Sequence, residues 1–441
     1  MAQPLTILFM PESAYGPTNN CVGIGDVLRK RGHRVVFAAE ASWRGRLEPL
    51  GFVEDLVDLA PSPEPAPDAP PQDAGQFWKD FIRDTAPEFR KPTIEQLATF
   101  MQPTWQALID GAKYCEPRLR EIIARNRPDV IVEDNVVSFP ALQTAGKPFV
   151  RIVSCNPLEI RGSGDAGREI APAYSGLPAD DRSQWEAFHE EYDRTHRPTW
   201  EDFDAWCRGQ GTAPLPELEF IHPSPDLNLY VYPQVADYVD RRPLDATWRR
   251  LDSSVRATDG AFELPADLAN RPAGSALIYL SLGSLGSADV ALMRRLVAVL
   301  CDTPHRYIVS KGPQHAEYEL APNMWGADFL PQTKIVPLVD LVITHGGNNT
   351  TTEAFHFGKP MVVLPLFWDQ YDNAQRVDET GFGVRLPTYA FEDDELRGAI
   401  DGLLADADLR GRMARIGAEI RARDGVAKAA DAIEAAGLAS R

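Results

Sequence analysis

One stretch, residues 329–375, reads FLPQTKIVPLVDLVITHGGNNTTTEAFHFGKPMVVLPLFWDQYDNAQ and constrains the fold more than the rest of the chain does. Its centre, Leu341-Val342-Ile343-Thr344, is a short β-branched apolar run that stops abruptly at His345-Gly346-Gly347. A run of that kind, followed at once by a helix start, is the pattern of a buried parallel strand in an α/β sheet. The two glycines let backbone approach a ligand with no Cβ in the way. Asn348, Asn349, Thr350, Thr351 and Thr352 then fall at a helix N-terminus, where free N–H groups and the helix dipole favour an anion such as a phosphate. Glu353, three residues after Thr350, either caps that end or accepts from a sugar hydroxyl. A second apolar run, Met361 to Leu366, leads to Asp369-Gln370, two hydrogen-bonding side chains suited to a polyol. Taken singly, each feature also reads as an ordinary turn or helix start.

The chain opens in the same style. Leu5–Met10 reads as a buried strand, Asn20–Arg31 as a helix stopped by Gly32, and Val35–Ala39 as a second strand, the start of a doubly wound sheet. Gly23-Ile24-Gly25 is half of a dinucleotide fingerprint, but Leu28 holds the third glycine position, so helix–sheet packing is the better reading. Asp129–Asp134 gives a further strand with a carboxylate at its C-terminal edge, and Phe149–Val153 and Leu227–Tyr232 follow. A second α/β unit begins at Ala276–Leu282, and Gly283-Ser284-Leu285-Gly286 after it is another place to hold phosphate oxygens. Arg306–Val309 is its next strand. Residues 61–76 are Pro- and Ala-rich and read as a loop, helices are expected at 78–90 and 104–125, and 233–273 reads as a connection. Between 162 and 222 the pattern loosens around Trp185, Trp200 and Trp206, which suit either a wall for an apolar ligand or the packing of short helices. The last 40 residues are Ala-rich and helical.

At 441 residues the chain holds two or more domains, and its net charge of −19 argues against nucleic acid or an anionic membrane as the main partner. Five scattered cysteines without C-x-x-C spacing read as reduced thiols with no zinc site, and the histidines show no ligand pairing. No signal peptide and no membrane span are expected, hence a cytoplasmic protein.

In order, His345-Gly346-Gly347-Asn348-Asn349-Thr350-x-x-Glu353, then Gly358-x-Pro360, Pro365 and Asp369-Gln370, with Pro331-Gln332 upstream, resembles the donor-binding signature box of UDP-glycosyltransferases. The Asn348-Asn349-Thr350 version and the short spacing from Gln332 to His345 look similar to bacterial macrolide glycosyltransferases. The resemblance implies the GT-B fold, two doubly wound Rossmann-like α/β domains facing each other across a cleft. It places an acceptor-binding domain at 1–235, a linker at 236–273, a nucleotide-sugar domain at 274–425 and a helical tail at 426–441. Carried over residue by residue, it puts Phe329 at the nucleobase, Leu330 in the donor site beside it, Gln332 near the ribose and Glu353 on the ribose hydroxyls. His345, Asn349, Thr350 and Ser284 fall at the diphosphate, Gly347 in the same donor site, and Asp369 and Gln370 at the sugar. It further implies an inverting transfer of a hexose, glucose first, from a UDP-sugar to a small, largely apolar acceptor, without metal or cofactor, by a monomer or homodimer.

The chain departs from that pattern at Phe329, where the family usually has Trp, and at the catalytic base. Such enzymes usually carry a catalytic His, or Asp in some bacterial members, in G-[H/D]-x-x-P after the first strand; here the stretch is Gly16-Pro17-Thr18-Asn19-Asn20, and proline cannot take a proton. Asp134 matches the carboxylate that orients that base. Three readings follow. Asp134, or next Glu12, serves as base; or the acceptor arrives already ionised, as a carboxylate or acidic phenol; or the chain is a nucleotide-sugar hydrolase or binder.

Overall fold

A computed structural model of the chain describes residues 4–61, 83–160 and 170–439. The first sheet has seven strands: β1 (Thr6–Pro11), β2 (Arg34–Phe37), β3 (Val53–Glu54), β4 (Val130–Asp134), β5 (Phe149–Val153), β6 (Leu227–Tyr230) and β7 (Trp248–Arg250). Their order is β3-β2-β1-β4-β5-β6-β7, every pairing parallel. The chain therefore winds one way from β1 and the other way from β4. Between those two strands lies the switch point at which open α/β sheets bind ligands, and there Pro11 pairs with Asp134.

The second sheet repeats the plan. Strands β8 (Leu277–Ser281), β9 (Arg306–Ser310), β10 (Met324–Ala327), β11 (Leu341–Thr344), β12 (Met361–Val363) and β13 (Gly383–Arg385) run in the order β10-β9-β8-β11-β12-β13, again all parallel. Its switch point lies between β8 and β11, where Ser281 pairs with Thr344. Both sheets are sandwiched by helices, as unbroken apolar strands require. The expected pair of doubly wound α/β units is what forms.

The helices that matter here are α1 (Tyr15–Lys30), α2 (Gln102–Asn126), α3 (Trp185–Gly209), α4 (Val290–Leu300), α5 (Asn348–Phe357), α6 (Gln370–Glu379), α7 (Asp393–Ala405), α8 (Ala407–Arg423) and α9 (Gly425–Ala439). Helix α1 begins at Tyr15, five residues earlier than its pattern indicates. Pro17 falls in its first turn, where a missing N–H costs little. Gly25 sits in α1 where a Cβ would press on Val35 and Phe52, the packing role expected of it. The loosened region holds one long helix, α3, rather than several short ones. Its tryptophans pack: Trp185 Nε1 donates to the Pro178 carbonyl and Trp200 Nε1 to that of Pro216. Most of the 61–76 loop and the start of the 78–90 helix lie outside the described residues, and Ala86–Arg90 forms a 3₁₀ turn.

The last helix, α9, crosses back to the first unit. Ala429, Ala430 and Ile433 share a buried core with Leu5, Ile7, Phe9 and Val132. Arg31 of α1 pairs with Asp431 at 2.7 Å and Glu434 at 2.8 Å. Among the described residues no helix is long and apolar enough to cross a membrane.

Candidate active site

The second unit supplies an anion seat at its switch point. Gly346 has φ 85°, and a Cβ there would lie 2.8 Å from Val363 Cγ1 and 3.0 Å from the Gln370 carbonyl, so only glycine makes this turn. Helix α5 then starts at Asn348 with Gly347 as N-cap and no side-chain cap, which leaves its first N–H groups for a ligand. The His345 ring lies against Gly347 and against Gly283 of the loop that carries half-buried Ser284. Burial pushes this imidazole down to about 4, against the pull of the Ser281 carbonyl that accepts from it, so it is neutral at neutral pH.

One turn along α5, Glu353 is buried and accepts from Gln332 Nε2 at 2.6 Å. The same Gln332 nitrogen donates to Thr350 Oγ1 at 3.2 Å. Three residues expected to share the donor site are thus brought together. A fourth member, Arg256, comes from the connection between the units: its Nη1 lies 3.4 Å from Glu353 Oε1 while its other nitrogens pair with Asp259. Nothing in a Pro-rich connector marked this arginine. Burial raises the Glu353 carboxyl, and Arg256 and Gln332 pull it back. Arg256→Gln is therefore expected to shift the acid limb of donor binding to higher pH, with Arg256→Lys restoring part of it; donor titrations across pH check this. Leu330 is half-buried against the core of the second unit. Phe329 is 53% exposed, its ring 5.1 Å from that of Tyr15 across the cleft.

Facing this seat, the first unit presents a cavity at the end of β4, lined by Pro17, Trp105, Asp134, Glu159, Tyr174 and Phe220 among others. Asp134 Oδ1 accepts from Ser154 Oγ at 2.7 Å, whereas its Oδ2 is buried with no hydrogen-bond partner. Burial pushes this carboxyl up to about 7, opposed by the Ser154 hydrogen bond and the Arg151 charge. The other candidate base fares differently. Glu12 is engaged by Ser13 Oγ at 2.8 Å and by the Ala14 N–H at 2.7 Å, and it is not among the residues lining the cavity. Of the two carboxylates only Asp134 faces the enclosed space.

The two units meet through the same residues that the donor box contributes. Asp369 Oδ2 accepts from the Asn156 N–H at 2.9 Å and from Asn373 Nδ2 at 3.2 Å. Asn349 donates to the Gly16 carbonyl and accepts from Asn20 Nδ2, each at 3.0 Å. Asp372 accepts from the N–H groups of Tyr174 at 2.5 Å and Gly176 at 2.9 Å. Gln370 turns inward instead, its Oε1 accepting from Leu366 and Phe367 N–H. Backbone strain collects here as well: Tyr174 (φ 68°), Leu218 (φ 58°) and Trp368 (φ 58°) are non-glycine residues in the left-handed region, at about 1–3 kcal/mol each.

Residues 294–435 match the family described as erythromycin biosynthesis protein CIII-like, C-terminal domain. Over 98% of its length the chain is 27% identical to oleandomycin glycosyltransferase from Streptomyces antibioticus, covering 91% of that protein. It is 25% identical to demethyllactenocin mycarosyltransferase from Streptomyces fradiae, over 97% of this chain and 86% of that one. Among solved structures, the glycotransferase of kitacinnamycin aligns with a TM-score of 0.66 over 99% of this chain and 100% of that chain, at 21% identity. A spinosyn rhamnosyltransferase complexed with thymidine diphosphate aligns with a TM-score of 0.62 over 96% and 98%, at 18% identity. With two parallel sheets in the GT-B arrangement, the chain is similar along nearly its whole length to bacterial macrolide-type glycosyltransferases.

Proposed function

We propose that the protein moves a hexose from a nucleoside-diphosphate sugar to a hydroxyl of a small, largely apolar natural product, with inversion, and that Asp134 is the base. The observation that carries this is the free Oδ2 of Asp134, buried at the switch point of the first sheet beside Pro17 and facing the cleft cavity. In this scheme Oδ2 takes the proton of the acceptor hydroxyl as its oxygen bonds to the anomeric carbon. The bond from that carbon to the diphosphate oxygen breaks on the opposite face, and the diphosphate leaves with the electron pair. Its charge is met by the N–H groups at the start of α5 and by neutral His345, so the scheme calls for no metal. Glu353 with Gln332 holds the ribose, Asp369 and the amide nitrogen of Gln370 the sugar, and Phe329 with Leu330 the base.

The signature box favours UDP-glucose as donor. A structural neighbour bound to thymidine diphosphate makes dTDP-sugars the second arm of the test. Mass spectrometry of reactions with both donors and a panel of phenols, alcohols and carboxylic acids is expected to give hexosylated alcohols or phenols with equimolar nucleoside diphosphate. Diphosphate release without any hexosylated product would instead make the protein a nucleotide-sugar hydrolase.

A further inference from the structure

Asn20 stands where the motif G-[H/D]-x-x-P closes with Pro, and Phe329 where such enzymes usually have Trp. Both side chains lie at contacts between the first turns of α1 and the second unit. Asn20 is 1% exposed, and its Nδ2 donates to Asn349 Oδ1 at 3.0 Å. One turn earlier on α1, the Gly16 carbonyl accepts from Asn349 Nδ2, also at 3.0 Å. A carbonyl can only accept, so Gly16 fixes which end of the Asn349 amide is nitrogen, and Asn20 holds the oxygen at the other end. A proline at position 20 has no donor for that oxygen. Among the described residues, Asn349 Nδ2 keeps a second N–H to give. Asn349 lies in the first turn of α5, which starts without a side-chain cap. Held this way round, the amide adds an N–H to the anion seat; turned over, it offers an oxygen, which repels an anion.

The other departure is braced from the same helix. Phe329 is 53% exposed, and its ring lies 5.1 Å from that of Tyr15, the first residue of α1. Tyr15 is itself fixed, its ring 5.3 Å from that of Trp43 and its hydroxyl accepting from Arg46 Nη1 at 2.6 Å. A phenyl ring offers a nucleobase less stacking area than an indole. A fixed neighbour limits where that ring turns, so less freedom is lost when a base stacks on it.

We infer that the first turns of α1 complete the donor site from the first unit. Asn20 is a positioning residue for Asn349 at the diphosphate, and Tyr15 is one for Phe329 at the nucleobase. Resting on the donor reading above, this assignment extends the site to two side chains that act through others. It gives the non-proline residue at position 20 a role that has nothing to do with the base.

The test is titration calorimetry of the full chain with uridine, UDP and thymidine diphosphate. Asn20→Leu keeps the bulk of the side chain and removes its donor. It is expected to weaken both diphosphates by about three- to tenfold, the worth of one hydrogen bond, and to leave uridine unchanged. In an Asn349→Ala background the same change is expected to have no further effect, because a positioning residue acts only through its partner. Tyr15→Ala is expected to weaken uridine and UDP by one common factor, about two- to tenfold, and to have no effect beside Phe329→Ala. Tyr15→Phe, which keeps the ring, is expected to retain most of the affinity. The Tyr15 variants also carry the test should Asn20→Leu fail to fold. Diphosphate affinity unchanged in Asn20→Leu together with uridine affinity unchanged in Tyr15→Ala overturns the inference. Losses that persist in full beside Asn349→Ala and Phe329→Ala overturn it too, since both contacts would then be merely structural. Wild-type protein that binds neither diphosphate removes the donor reading itself, and this inference with it.

Discussion

Asp134→Asn lowers transfer by about 10²–10⁴-fold, the range that a general base contributes, and leaves the donor dissociation constant unchanged. Asparagine keeps the shape of the side chain and still accepts from Ser154 Oγ, but it has no basic oxygen to take a proton. Stability moves the other way. The Asp134 carboxyl is raised from 3.8 to about 7 by burial, so its contribution to stability is full below the unfolded value and is lost as pH rises through about 7. At pH 8 the wild-type protein holds this buried charge and the Asn variant does not, so the variant is expected to melt at a higher temperature. A gain in Tm together with a loss of turnover marks a functional carboxylate; a loss of both marks a structural one.

Glu353→Ala raises the donor dissociation constant by about 10- to 100-fold, the worth of hydrogen bonds to a charged acceptor, while kcat at saturating donor changes little. The fold survives the change because Arg256 keeps its 2.7 and 2.9 Å contacts to Asp259. Isothermal titration with UDP, and with thymidine diphosphate beside it, reads the effect directly. Unchanged binding of both nucleotides would remove Glu353 from the ribose site.

How legible the chain is from sequence depends on how far apart the interacting residues lie. The strand from Leu341 to Thr344, its glycine turn and the polar start of α5 are local patterns, and the structure reproduces them. Asp134 follows from a strand ending at a sheet edge. The short edge strands β3, β7, β10 and β13, two to four residues long, are too brief to show a period. The seam between the units is wholly non-local. Asn156 reaches Asp369 across 213 residues and Asn20 reaches Asn349 across 329, and no spacing rule links such pairs. Arg256 belongs to the same class, as does the return of α9 to the first core. Gln370 shows the limit at a single side chain: its motif position fits a sugar contact, yet its carbonyl oxygen is turned to the Leu366 and Phe367 N–H groups.

One buried carboxylate, Asp134, in place of the usual histidine, is expected to accept the proton during transfer. Its most direct test is the pH dependence of kcat/KM from pH 5 to 9 for the wild-type protein and Asp134→Asn, with one neutral alcohol acceptor. Wild-type activity is predicted to rise with pH through a single midpoint near 7, where the Asp134 carboxyl ionises, and the residual activity of the variant to show no such step. The same step in both proteins, or a flat profile for the wild type, would place the base elsewhere.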